Sequence, residues 1–348
     1  MSSDAKRIHY LDGWRGLAIL GVLTDHFISA RVINFGRFGV EMFFVLSGML
    51  MAEILFFRRT NLKAFMLRRF SRTYPALFVA VVCIFLFARA THLFRFDFPT
   101  FLSCITSTYN YFSIYAHHNK FVDNLWSLCI EEHTYLMLMV IAFGQRTWGA
   151  NPFAIIVALI CIFCANGIIQ TAYLHREYFQ VYWRTDVRAA SILIGTATAL
   201  YFKDNIKVRQ DFPVYLLLLG VALNIDRVPD EIKYTIGTLA IALGLVTLRK
   251  APAALLKFLA SKQLTAIGMI SYSVYLWQQP FAQVSAHSKL VMHAEKMLFL
   301  VVIFIIGYLS YRFIENPARD YLNKLWNTQS KSVRLVDTPL ETSLETNG

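Results

Sequence analysis

Apolar runs long enough to carry a helix across a bilayer, about 20 residues each, alternate along this chain with short polar connections rich in Lys and Arg. Ten runs stand out, at about 14–33, 37–57, 74–90, 124–143, 152–172, 187–202, 211–225, 233–248, 264–285 and 296–314. The seventh and eighth are the shortest. A longer stretch, about 91–123, separates the third run from the fourth and is rich in Phe, Tyr and His. The pattern predicts an all-α, polytopic membrane helix bundle of about ten transmembrane helices. It also divides the chain into a membrane domain over 1–320 and a polar tail over 321–348, expected to be flexible and cytoplasmic.

Composition agrees with this reading. Of 348 residues, 56% are hydrophobic and only 16% charged, where a soluble domain carries about 25% charged residues. The basic residues are distributed unevenly. Placing the N-terminus inside puts Lys6, Arg7, the run Arg58, Arg59, Lys63, Arg68, Arg69 and Arg72, and the basic residues after 311 on the cytoplasmic face. The positive-inside rule therefore predicts a multi-pass membrane protein with both termini cytoplasmic. A net charge of +12 is accounted for by such loops facing anionic lipid, and no nucleic-acid partner is required. The first apolar run lacks a small-x-small cleavage site and reads as a span rather than a signal peptide. The five cysteines are scattered and read as small buried hydrophobes. The nine histidines are dispersed, so no metal site is expected.

Charged groups inside spans are costly and call for a partner or a task. The first span, "LDGWRGLAILGVLTDHF", carries Asp12, Arg15, Asp25 and His26. Arg15 and His26 are eleven residues apart, so they share one helix face at about 16 Å along the axis. His26 by itself is compatible with a core histidine or with a proton-transferring group. "GRFGVEMFFVLSGML" places Glu41 near one end of the second span and Ser47 deeper. In "RRFSRTYP", Arg69 and Arg72 stand at i, i+3 on one side of a helix, a geometry suited to phosphate oxygens. In "NLWSLCIEEHTYLML", Ser127, Glu131 and Tyr135 form one stripe, and in "SYSVYLWQQP" Ser271, Tyr275 and Gln278 form another. Glu315 in "ENP" is expected to pair with Arg312 or Arg319.

Taken in order, these blocks resemble the acyltransferase 3 family, membrane proteins that acylate carbohydrates and other acceptors. The resemblance runs from about Tyr10 to Arg319. It rests on the LDGxRG…H block with Arg15 and His26, and on the GVxxFFVLSG block with Glu41 at the usual Asp position. The Arg-x-x-Arg of Arg69 and Arg72 followed by Tyr74, the WSLxxExxxY pattern through Trp126, Glu131 and Tyr135, and two C-terminal blocks complete it. At Gln278 the family block often has histidine, so one titratable group is missing.

The resemblance implies an O-acyltransferase using acyl-coenzyme A, most simply acetyl-coenzyme A, as donor substrate, with no bound cofactor. Arg15, Arg69 and Arg72 are expected to hold the donor phosphates. His26 is expected to act as general base, oriented by Glu131 in preference to Asp25, and an acyl-His intermediate stays open. Asp12, Glu41, Ser47, Tyr74, Trp126, Tyr135, Tyr275 and Gln278 are supporting candidates. The acceptor is expected to be a carbohydrate or glycolipid hydroxyl. The competing reading is a proton-coupled transporter, or an acyl-group translocator feeding a separate transferase.

Overall fold

A computed structural model describes residues 8–28, 33–202, 207–287 and 293–336. Helices account for nearly all of it. The first three are α1 (His9–Ile28), α2 (Phe35–Met51) and α3 (Leu62–Thr91); then come α4 (Phe98–Ile105), α5 (Tyr109–Tyr115), α6 (Leu125–Trp148) and α7 (Pro152–Ile168). The chain continues through α8 (Tyr178–Tyr182), α9 (Thr185–Tyr201), α10 (Phe212–Leu223), α11 (Asp230–Ile232), α12 (Thr238–Thr247), α13 (Ala253–Leu259), α14 (Lys262–His287), α15 (His293–Ser310) and α16 (Asn316–Val336). Local chemistry sets several ends. Asn34, Asn61 and Asn151 each accept a backbone N–H at the start of α2, α3 and α7, and Gly149 ends α6 in the left-handed region at φ 67°.

By length and composition, six helical stretches among the described residues can cross a membrane: Phe35–Phe57, Leu62–Thr91, Leu125–Trp148, Pro152–Tyr173, Asp230–Lys250 and Glu295–Trp326. The α13–α14 pair, bent by 50°, makes a seventh if it counts as one span. Seven of the ten expected segments are among these. Helices α1, α9 and α10 do occupy the other three expected segments. However, α1 carries three charged residues, Asp12, Arg15 and Asp25, besides two histidines, α9 has 17 residues and α10 has 12. Two of these, α1 and α9, lie inside the bundle, where neighbouring helices cover their polar positions.

The interior is built on close helix contacts. Gly268 of α14 faces the Asp12 carbonyl of α1, and Gly13 of α1 faces the Leu259 carbonyl of α13; a Cβ at either position would collide with that oxygen. Small residues permit such backbone approach in membrane bundles. A second seam joins α2 to α9, where Glu41 and Arg188 form an ion pair buried from solvent at 0% and 1% exposure. Thr238 of α12 donates to the second Glu41 oxygen at 2.6 Å, and the Arg188 guanidinium lies 3.8 Å from the Tyr234 ring centroid. Two charges are thus satisfied by one another, a hydroxyl and an aromatic face.

The stretch expected as a loop at 91–123 folds into a helical cap of α4 and α5. Asp97 caps α4 through Thr100, and that hydroxyl bond holds the Asp97 carboxyl below its ordinary range. Tyr109 donates to the Asn119 carbonyl at 2.8 Å, and Tyr111 donates to Asp186 of α9 at 2.9 Å, pinning the cap to the bundle. At the other end of the chain, α16 continues past residue 320 to Val336, so the tail begins as helix. Leu322 and Trp326 repeat at i, i+4 and are half-buried, and Ser71 of α3 donates to Asn323 at 3.2 Å. Residues 337–348 lie outside those described.

Removing one partner of the buried pair leaves an uncompensated charge. Arg188→Met should cost about 3–5 kcal/mol, read as a lowered thermal unfolding midpoint in detergent. Adding Glu41→Gln should restore most of the loss.

Candidate active site

Two cavities lie end to end in the bundle. The first sits at the Arg15 end of α1 and is lined by Arg15, Ser47, Arg69, Arg72 and Glu131, with Phe43, Leu50 and Tyr272 among its apolar and aromatic walls. The second opens at the His26 end, beneath the cap, and is lined by Asp25, His26, Arg37 and Asp123 together with an aromatic wall that includes Trp126 and Trp183. Val40 and Tyr275 line both. They form the neck between the two.

The first cavity is electrostatically lopsided. Three arginines from α1 and α3 face it, against Glu131 as its single lining carboxylate. That carboxylate is already engaged: Ser47 donates to one oxygen at 2.9 Å and Tyr135 to the other at 3.0 Å. The Tyr135 ring in turn carries the Arg69 guanidinium at 4.0 Å from its centroid. Arg15 lies 3.7 Å from Asp12. Arg69 Nε is buried with no hydrogen-bond partner among the described residues. A cavity with surplus guanidinium donors, one of them unsatisfied, is built for an anion with several oxygens, as phosphate is.

Glu315 also belongs to this end, and to the expected Arg319 the structure adds Arg72 and Ser273 as partners. Its carboxylate accepts from Ser273 at 2.9 Å and is 3% exposed, in electrostatic contact with Arg72 first and Arg319 after it. The π turn Tyr311–Glu315 between α15 and α16 swings the side chain inward, a displacement that an ideal helical period does not anticipate.

The second cavity holds the only histidine of the candidate set. His26 Nδ1 lies 2.6 Å from Gln278 Oε1 on α14. The orienting partner expected from sequence was Glu131; in the structure Glu131 faces the other cavity, and Gln278 takes that place. The reason is the bundle geometry: the α1–α14 contact through Gly268 sets His26 against α14, while Glu131 projects from α6 towards α2 and α3. Of the other candidates, Ser47 lines the arginine cavity, Trp126 the histidine cavity and Tyr275 both. Tyr275 donates to the Asn124 carbonyl at 2.9 Å and is 2.7 Å from the Ser127 hydroxyl, which fixes its ring at the neck. Glu41 lines neither cavity. Nor does Tyr74, which stacks on Phe70 at 4.5 Å and reaches Ser107 at 3.4 Å.

Sequence reasoning missed Arg37, Arg188, Asp123 and Gln279. Arg37 lies 4.0 Å from the Tyr178 ring centroid and 3.9 Å from Asp230, at the mouth of the histidine cavity. Arg188 had a visible signal, a charge in an otherwise apolar span. Asp123 and Gln279 had none: Asp123 enters from the connection ahead of α6, and Gln279 of α14 lines the cavity and binds the Lys120 carbonyl only once the cap is in place.

Comparison with known proteins places these features in a class. The described helices and paired cavities define a polytopic membrane protein of helical type, and the acyltransferase domain model of the acyltransferase 3 family matches residues 8–312. The chain belongs to that family. Similar relatives include the peptidoglycan O-acetyltransferase OatA of Listeria monocytogenes, 28% identical over 90% of this chain and 56% of the relative. The putative peptidoglycan O-acetyltransferase YrhL of Bacillus subtilis is 29% identical over 89% of this chain and 54% of its own length. The O-acetyltransferase OatA of Staphylococcus aureus is 27% identical over 89% and 57%. The chain therefore spans little more than half the length of these relatives. No solved structure matches it.

If the arginine cavity holds an anionic donor, Arg69→Ala should remove about 1.5–3 kcal/mol of charge-assisted binding, roughly a ten- to hundredfold rise in donor KM. Val40→Trp should instead reduce transfer far more than it weakens donor binding, because it obstructs the neck while leaving the arginines in place. Equilibrium binding of a labelled donor, measured beside turnover, separates the two.

Proposed function

We propose that this protein is an integral-membrane O-acyltransferase. It moves an acyl group, acetyl in the simplest case, from cytoplasmic acyl-coenzyme A to a hydroxyl of a carbohydrate at the opposite face. The observation that carries this reading is the end-to-end pair of cavities, one cationic and one containing a histidine, sharing a neck at Val40 and Tyr275. The relatives' names point to a cell-wall carbohydrate such as peptidoglycan as acceptor class, and the aromatic wall beside Trp126 and Trp183 offers flat apolar faces of the kind a sugar ring can pack on.

In this mechanism Arg15, Arg69 and Arg72 hold the donor's phosphates, and Glu131 keeps Ser47 and Tyr135 in place so that Tyr135 supports Arg69. The pantetheine arm extends along α1 past the neck, over the about 16 Å that separates Arg15 from His26. His26 removes the proton from the acceptor hydroxyl as that oxygen attacks the thioester carbonyl. The carbon–sulfur bond breaks, the ester forms, and the proton carried by the imidazole passes to the departing thiolate to give free coenzyme A. The orientation that serves this route puts both chain termini in the cytoplasm of a bacterial cell.

The test uses purified full-length protein in lipid vesicles, acyl-labelled coenzyme A and a soluble peptidoglycan fragment. Transfer of label to the fragment, lowered about 10²–10⁴-fold in His26→Ala, is the expected result. Undiminished transfer by His26→Ala would overturn the assignment. Thioester loss with no acylated fragment, accompanied by label crossing the vesicle membrane, would favour an acyl translocator.

A further inference from the structure

The proton position on His26 is decided by a chain of amides that begins in the cap. Gln279 Nε2 donates to the Lys120 backbone carbonyl at 2.9 Å. A backbone carbonyl only accepts, so the amide of Gln279 must turn its NH2 towards Lys120 and its oxygen away. That oxygen receives Gln278 Nε2 at 3.3 Å. The Gln278 amide is thereby turned as well, and its own oxygen faces His26 Nδ1 at 2.6 Å. An amide oxygen also only accepts, so Nδ1 must carry a hydrogen. Each link follows from the one before it, and the first is anchored on an atom with a single possible role.

We infer that Gln278 and Gln279 form an amide relay that locks His26 in the Nδ1–H tautomer and leaves Nε2 as the basic nitrogen for the acceptor hydroxyl. This rests on the proposed role of His26 and adds what orients it. Both glutamines are positioning residues: they act through His26 rather than on substrate. The relay is well placed for this, with Gln278 at 0% and Gln279 at 4% exposure, so water does not compete for their amide groups. An amide also sets direction without titrating. Gln278 therefore fixes the tautomer without adding the fixed charge that a carboxylate partner would bring.

Two other features of the site bear on the pH response. The charged groups lining the same cavity are Asp25 of α1, Arg37 of α2 and Asp123 ahead of α6, with Tyr178 and Tyr182 of α8 and Tyr275 of α14 as the titratable phenols; α14 also brings the amides of Gln279 and Gln283. These surroundings are common to wild type and variants, so a shift seen only on changing residue 278 reports the relay. The link to Lys120 also ties the catalytic tautomer to the cap, because Lys120 begins the short 3-10 turn Lys120–Val122.

The first readout is independent of activity. Full-length protein with 15N-labelled histidine in nanodiscs, compared with His26→Ala to isolate the one signal, should show His26 protonated at Nδ1 and bare at Nε2 under alkaline conditions. Gln279→Leu should shift that signal towards a mixture of tautomers. A wild-type His26 protonated at Nε2 would overturn the relay, whatever the activity of the enzyme.

The second readout is a pH profile of acyl transfer. Gln278→Glu places a carboxylate against Nδ1–H, which stabilises the imidazolium. A base works only when deprotonated, so the rise of activity with pH should move up by about one unit or more. Gln278→Met keeps the volume, removes the acceptor and should lower kcat at least tenfold with donor KM unchanged. Variants matched to wild type in unfolding midpoint but unchanged in pH profile and kcat would overturn the relay. Retained activity in His26→Ala would instead overturn the base assignment, and the two failures are distinct.

Discussion

The backbone of α1 touching that of α14 is the contact on which the rest of this protein depends. Gly268 opposite the Asp12 carbonyl lets the two helices approach without side chains between them. That approach sets the register of Arg15 at one end and His26 at the other. It brings Gln278 within 2.6 Å of the imidazole and leaves Tyr275 at the neck. A bulkier residue at 268 would separate the helices and, with them, His26 from Gln278.

The buried charges divide into two kinds. Glu41 and Arg188 neutralise one another between α2 and α9, with Thr238 and the Tyr234 ring completing their surroundings. They hold the bundle together and line neither cavity. Arg15, Arg69 and Arg72 face a cavity whose one lining carboxylate is taken up by Ser47 and Tyr135. In a low-dielectric interior an unbalanced charge is expensive; Arg15 has Asp12 and Arg72 has Glu315 near it, while Arg69 keeps a buried Nε with no hydrogen-bond partner among the described residues, a donor that an anionic oxygen would satisfy.

The cationic cavity and the histidine cavity lie at two ends of α1, with Arg15 and His26 about 16 Å apart along the axis. A ligand with a charged head and a long arm can reach both; a compact one reaches only one. The cap of α4 and α5 closes the histidine end and supplies both Asp123 and the Lys120 carbonyl.

What was legible in the sequence follows from periodicity. Apolar runs marked the helices, the eleven-residue interval put Arg15 and His26 on one face, and Arg69 and Arg72 announced themselves by their i, i+3 spacing. Those are properties of one helix at a time, and helical geometry alone decides them. Pairings between helices were not legible in the same way. Glu131 shares a stripe with Tyr135 whether or not His26 is near, and only packing sends it to Ser47 and gives His26 to Gln278. The π turn before Glu315 and the helix through Trp326 depend on neighbours that a linear pattern does not contain. The chain by itself determined that a histidine and a set of arginines would stand inside a membrane bundle. The tertiary structure decided which groups they meet, because the close backbone contact at Gly268 lets α1 and α14 pack only in one register.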